Sequence, residues 1–203
     1  DIKKYLIYVL LATVCDVMPL RKLNRLIAKT ALKEFDVNKN HVFSELYKLN
    51  KKKNKINIED LGFLIGPILN SGGRLGKSNY ATELLSSENQ KTINQKSIDL
   101  IHLNNQRKEI EALTLKNIDF DKIEKKNKDL IVYYDQFMNE GLLGIIAAKL
   151  KDYFNKPAIV ITKSNNLLKG SARSIYGYNI GKLIRKLLNQ EIILNGGGHE
   201  MAA

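Results

Sequence analysis

The chain has 203 residues, is 44% hydrophobic and carries a formal net charge of +12. That length suits one large domain or two small ones with a sizeable core. No stretch approaches the ~18–20 uninterrupted apolar residues of a membrane span. The charge favours a polyanion such as DNA, RNA or a membrane surface. Lysine and asparagine are abundant throughout, however, as an AT-rich coding sequence would produce without selection for binding, so charge alone leaves the partner open. The single cysteine, Cys15, rules out an internal disulfide and suits a reducing, cytoplasmic setting. It reads as a small buried hydrophobe.

In chain order, residues 1–11 and 21–35 read as helices. The lysines of 51–53 and 125–128 read as solvated turns. "GFLIGPILNSGGRLG" (residues 62–76) reads as an irregular glycine-rich crossing, because five glycines crowd it after none in the first 61 residues. No glycine occurs between Lys77 and Glu140 and no proline between Pro67 and Pro157, so that stretch must hold long regular structure. Ser87 offers a cap, and Ile93, Leu100, Leu103, Ile110 and Leu113 recur along one helical face. The narrow apolar stripe and wide polar face predict a connector helix over 88–116.

"LIVYY" (130–134) predicts a strand. "GLLGIIAAKLKDYF" (141–154) predicts a helix, with Gly144 allowing close packing, that stops before Pro157. "AIVIT" (158–162) predicts a buried strand, Asn165 and Asn166 a turn, and "LLKGSARS" its paired strand. "NIGKLIRKLL" predicts a second amphipathic helix, followed by a glycine loop. This succession describes a compact α/β module.

Four stretches could carry chemistry. In "GSARS", Ser171 and Arg173 stand at alternate strand positions and so point the same way, able to share one phosphate; the plain alternative is a surface arginine. In "NGGGHEMAA", Gly197 and Gly198 remove Cβ obstruction around backbone N–H groups, and His199 can donate to a phosphoryl oxygen or move a proton; the alternative is a flexible tail. In "NSGGRLG", Arg74 sits among glycines in a loop able to meet an anion, although the P-loop spacing is not met. In "ATVCDVMPL", Asp16 is the one charge in an apolar run, a costly place unless it is paired, capping or bound to metal.

In this order, "ATVCDVMPL", "GPILNSGGRLG", "GLLGIIAAKL", "KGSARS" and "GGGHEMAA" resemble the RecJ-type single-strand-specific exonucleases of the DHH phosphoesterase superfamily. The resemblance implies an α/β chain: the C-terminal part of a DHH phosphoesterase domain (1–87), a long connector helix (88–120) and a compact α/β DHHA1 domain (121–203), incomplete at its C-terminus. It implies a 5′-to-3′ exonuclease that hydrolyses single-stranded DNA with Mn²⁺ or Mg²⁺ in recombination and repair. Asp16 is implied as a metal ligand. Arg74, Ser171, Arg173, Gly197, Gly198 and His199 are implied at the substrate phosphate, with His199 catalytic.

The implied partners are single-stranded DNA, a single-strand-binding protein and a helicase, for a monomer with no membrane attachment. The family's Asp-x-Asp and Asp-His-His motifs are absent and expected upstream of Asp1, with most metal ligands. The chain is therefore expected to be a fragment, inactive alone, whose last residues are poorly held. Met138 and Asn139 replace the family's frequent Trp-His. Two alternatives remain: a DHH phosphodiesterase of short oligoribonucleotides or cyclic dinucleotides, and a non-catalytic nucleic-acid-binding DHHA1 module.

Overall fold

A computed structural model describes residues 2–126 and 129–203. The chain divides into two compact units, residues 1–107 and 108–203.

The first unit is helical: α1 (Leu6–Cys15), α2 (Lys22–Glu34), α3 (His41–Leu49), α4 (Gly66–Arg74), α5 (Tyr80–Ser86) and the first part of α6 (Gln90–Lys116). α1 buries Ile7, Leu10 and Leu11, an i, i+3, i+4 set expected of an amphipathic helix. α3 starts where Asn40 accepts hydrogen bonds from the N–H groups of Val42 and Phe43. Its buried face includes Phe43, which packs edge-on against Tyr8 and Phe35 with ring centroids 5.9 and 5.0 Å away. Truncating such a core ring costs about 3–5 kcal/mol.

The segment expected as an irregular crossing is helical. A π-helical stretch, Asp60–Ile65, runs directly into α4. Glycine disfavours helix by itself, but here packing demands it. A Cβ on Gly66 would lie 2.6 Å from Cys15 Sγ, and one on Gly62 would lie 3.2 Å from Val14. α4 then closes in a Schellman turn: Lys77 N–H donates to the Gly72 carbonyl at 2.7 Å, and Gly76 takes φ +78°. Arg74 is thus the last residue of a helix, not part of a glycine loop.

Lys52 is likewise more than a solvated turn residue. Its ammonium meets the buried Asp60 carboxylate at 2.7 Å. Asp60 also accepts from the Tyr47 hydroxyl at 2.8 Å and the Asn57 N–H at 3.3 Å. Burial pushes the Asp60 carboxyl up, but Lys52, Tyr47 and Asn57 together outweigh burial and hold it below its ordinary value.

α6 is 27 residues long. Asn89, rather than Ser87, caps it by accepting from the N–H groups of Lys91 and Thr92; Ser87 accepts from Asn89 N–H. Ile93, Ser97, Leu100 and Asn104 form its buried face. Leu113, expected on the apolar stripe, is 62% exposed.

The second unit begins with the end of α6 and α7 (Phe120–Lys126), then β1 (Ile131–Tyr134), α8 (Leu143–Phe154), β2 (Ala158–Ser164), β3 (Leu167–Arg173) and α9 (Ile180–Asn189). Lys125 and Lys126 end α7; Asn127 and Lys128, expected with them as a turn, lie outside the described residues. The sheet order is β1-β2-β3, with β1 parallel to β2 and β2 antiparallel to β3. A parallel pair needs a crossover, which α8 supplies. The antiparallel pair needs only Asn165 and Asn166, at φ +49° and +64°. Asparagine tolerates the left-handed region better than other side chains, and two such residues in a row suit a tight hairpin. The core gathers Ile131, Leu142, Ile146, Leu150, Ala158 and Val160.

Candidate phosphate-binding site

Strand alternation places Ser171 opposite Val160 and Arg173 opposite Ala158. Val160 and Ala158 are fully buried, so Ser171 and Arg173 share the sheet face that packs on α8. There Arg173 lies against the first turn of α8. A Cβ on Gly144 would fall 2.6 Å from Arg173 Nη2 and 3.3 Å from Ser171 Oγ. Glycine is what admits the guanidinium. The approach to α8 is pinned by four contacts. Thr162 Oγ1 donates to the Met138 carbonyl at 2.8 Å. Asn139 accepts from Gly141 N–H at 2.9 Å. Glu140 accepts from Ser164 and Lys169 at 2.7 and 2.9 Å.

Arg173 is half-buried. Its Nη1 donates to Ser171 Oγ at 3.1 Å and to the Ala172 carbonyl at 2.7 Å. Both acceptors are neutral, and among the described residues no carboxylate pairs with it. Burial lowers its pKa from the usual arginine value, yet a guanidinium stays charged in proteins. A cation withdrawn from water without an acid, beside the electropositive first turn of a helix, is an arrangement suited to an anion.

The glycine-histidine loop joins the same strand. Ala172 and Ala203 exchange main-chain hydrogen bonds at 2.7 and 3.1 Å, and Ser174 N–H donates to the Met201 carbonyl at 2.9 Å. Residues 201–203 thereby line the open edge of β3, with Ala202 bridged to Arg173. Ser171 Oγ donates to the Ala203 main-chain oxygen at 3.2 Å. The loop also seats on α9, where Gly181 N–H donates to the His199 carbonyl and Ile180 N–H to the Glu200 carbonyl, both at 3.1 Å. A Cβ on Gly181 would lie 2.6 Å from His199 O, and one on Gly198 2.6 Å from Ala202 O. The expectation of poorly held last residues gives way to this anchoring, because β3 offers an unpaired edge. Gly197 faces open space, and the His199 side chain is exposed.

Residues 127–203 match the DHHA1 domain, which includes all three strands, α8 and α9. The chain is 36% identical to the single-stranded-DNA-specific exonuclease RecJ of Haemophilus influenzae over 96% of its own length and 36% of that protein's. The RecJ of Bacillus subtilis is 34% identical over 95% of this chain and 25% of its own length. This chain is RecJ-like. It spans about a third or less of the RecJ proteins it matches. Its fold is that of RecJ of Thermus thermophilus: the structure in complex with Mn²⁺ matches with TM-score 0.86 at 23% identity, covering 98% of this chain and 29% of that one. The structure in complex with Mg²⁺ matches with TM-score 0.82 at 22% identity, covering 98% and 31%.

Ser171 and Arg173 thus meet the closing loop through Ala202 and Ala203 in the DHHA1 domain of this RecJ-like chain, and Gly197, Gly198 and His199 belong to the same loop. Asp16 and Arg74 belong to the first unit. Asp16 is exposed, so the run around it carries no burial cost: α1 ends there, and its N–H donates to the Ala12 carbonyl at 2.9 Å. A carboxylate at a helix C-terminus stands at the unfavourable end of the macrodipole, so capping by its side chain does not account for it. Neighbouring Cys15 is half-buried, and burial, then the Asp16 charge, pushes its thiol up. Asp16 is suited to donate oxygen to a hard cation. Among the described residues, however, no group of three or more His, Cys, Asp or Glu side chains could hold a metal, so these residues by themselves do not fit a complete metal centre. Among the described residues no helix is long and apolar enough to cross a membrane.

Sequence reasoning saw Gly144 as a packing residue but not that it admits Arg173, and it missed Gly181 as the seat of the His199 loop. Each meets its partner only across the fold, so no local spacing marks the pair.

Proposed function

We propose that this chain is part of a 5′-to-3′ single-stranded-DNA exonuclease acting in recombination and repair, and that Ser171, Arg173 and the loop of Gly197, Gly198 and His199 hold a strand phosphate. The observation that carries the reading is Arg173, half-buried against Gly144 with neutral acceptors only. The identity with RecJ proteins over 96% of the chain supports the activity. Arg173 would neutralise a phosphate oxygen, and its bond to Ser171 holds the guanidinium plane in register with the loop. His199, exposed on that loop, would donate to a phosphoryl oxygen. Arg74 is a further phosphate contact in this proposal. Residues 1–87, 88–120 and 121–203 act as the end of a DHH domain, a connector and a DHHA1 domain. The working enzyme uses Mn²⁺ or Mg²⁺, for which this chain offers Asp16, and meets a single-strand-binding protein and a helicase as a monomer.

The test is a hybrid in which this chain replaces the matching segment of the Haemophilus influenzae RecJ. With Mn²⁺ it should release mononucleotides from the 5′ end of single-stranded DNA. Arg173→Ala should slow release at least tenfold, and Asp16→Ala should weaken metal affinity. Full activity in both variants would sink the proposal. The 203-residue chain alone should release nothing under the same conditions; robust metal-dependent release would refute that part.

A further inference from the structure

We propose that Tyr176 is a stacking platform for a base of single-stranded nucleic acid, next to the phosphate held by Arg173; the idea rests on the phosphate reading of that arginine. Tyr176 is 96% exposed and contributes nothing to the hydrophobic core of its unit. It stands on the turn between β3 and α9, three residues beyond Arg173, so the two backbones are at most about 11 Å apart.

That turn is rigidly built. Ser174 Oγ donates to the Tyr178 carbonyl at 2.6 Å, and Tyr178 N–H donates to the Ile175 carbonyl at 3.3 Å. Gly177 takes φ +86°, a conformation that disfavours side chains. Ser174 is also tied to Met201 on the loop side. The ring is therefore displayed in water on a backbone locked to the phosphate site. The backbone share of the ordering entropy is thus already lost before binding, and only the rotamers of the ring remain to be fixed.

The surrounding charge agrees. From Tyr153 to Gln190 the sequence has no Asp or Glu but seven Lys or Arg residues, of which Lys169 is paired with Glu140. Lys182, Arg185 and Lys186 are exposed on α9, and Arg185 reaches the Gly198 carbonyl at 3.4 Å. Tyr178, 39% exposed, adds a second ring to the turn. Basic tracks interleaved with exposed aromatic rings are how proteins hold single strands without reading sequence, because every base presents a π-face.

The test compares two strands of equal length at low salt, an oligothymidylate and an abasic one, by fluorescence anisotropy with the whole 203-residue chain. Tyr176→Ala should weaken oligothymidylate binding roughly fivefold or more and leave the abasic strand unchanged. Tyr176→Phe should bind like the parent. Arg173→Ala should weaken both strands. Equal effects of Tyr176→Ala on the two strands, or none, overturn the stacking role while the phosphate site stands on the Arg173 result. If Arg173→Ala changes neither strand, or the parent chain binds neither, the phosphate reading falls and the stacking proposal with it.

Discussion

Asp60 in the first unit and Arg173 in the second are both charges drawn out of water, but their surroundings differ. Asp60 is answered from within by the Lys52 ammonium, the Tyr47 hydroxyl and the Asn57 N–H. Arg173 meets only a hydroxyl and a carbonyl, both neutral. An internally compensated charge belongs to the scaffold; removing it leaves partners stranded. An uncompensated charge suits an external ion, and the scaffold depends on it little. The contrast separates the helical unit's structural polar centre, where Asp60 opens a π-helical stretch, from the α/β unit's candidate binding centre, where Arg173 ends a strand.

The largest effect is expected at Asp60→Ala, which strands Tyr47 and Asn57 and should cost about 3 kcal/mol in urea unfolding. Arg173→Ala should stay within about 1 kcal/mol of the parent, since no ion pair is lost. Comparable losses at both positions would erase the distinction. Acid should act on the same residue. The Asp60 carboxyl is held below its ordinary value of 3.8, so its contribution is fully present above that value. It is lost as pH falls from there through the lower folded value. Asp60→Asn should remove that part of the acid dependence, read from unfolding midpoints between pH 5 and pH 2.

Smaller effects are expected at the second charge. Gly144→Ala would place a methyl group where Arg173 Nη2 lies. The guanidinium is the far end of a flexible side chain and can swing away. Stability should therefore change by less than about 1 kcal/mol, while single-strand binding drops about tenfold or more, the worth of one hydrogen bond to a charged group, about 1.5 kcal/mol. Unchanged binding would show that the guanidinium's place against α8 is immaterial. The smallest effect is in salt dependence: Arg173→Ala should reduce the slope of log affinity against log salt by about 0.7, the share of one phosphate on a single strand.

Much of the second unit was legible from residue order. Alternation across "GSARS" put Ser171 and Arg173 on one face, and the asparagine pair marked the hairpin between β2 and β3. The first unit was less legible. The five glycines of 62–76 signalled a loop, because glycine is a poor helix former. Four of them, Gly62, Gly66, Gly72 and Gly73, lie in a π-to-α helix, where the end of α1 crowds Gly62 and leaves no room for a side chain at Gly66. Lys52 looked like one of a run of solvated lysines, since nothing local announces that Asp60 is buried eight residues on. The closing glycine loop looked mobile, and its hold on β3 and α9 depends on main-chain groups that have no sequence signature.

Residue order alone specified the strands and the two amphipathic helices of the second unit, the shared face of Ser171 and Arg173, and the ordered motifs that make the chain RecJ-like. Those rest on local periodicity and on residue chemistry, which neighbours along the chain suffice to express. It took the fold to show that Arg173 rests on Gly144 with no acid beside it among the described residues, that Asp60 is neutralised by Lys52, and that residues 201–203 line the edge of β3. Each of those depends on which groups meet across the fold, and on the water that their meeting excludes.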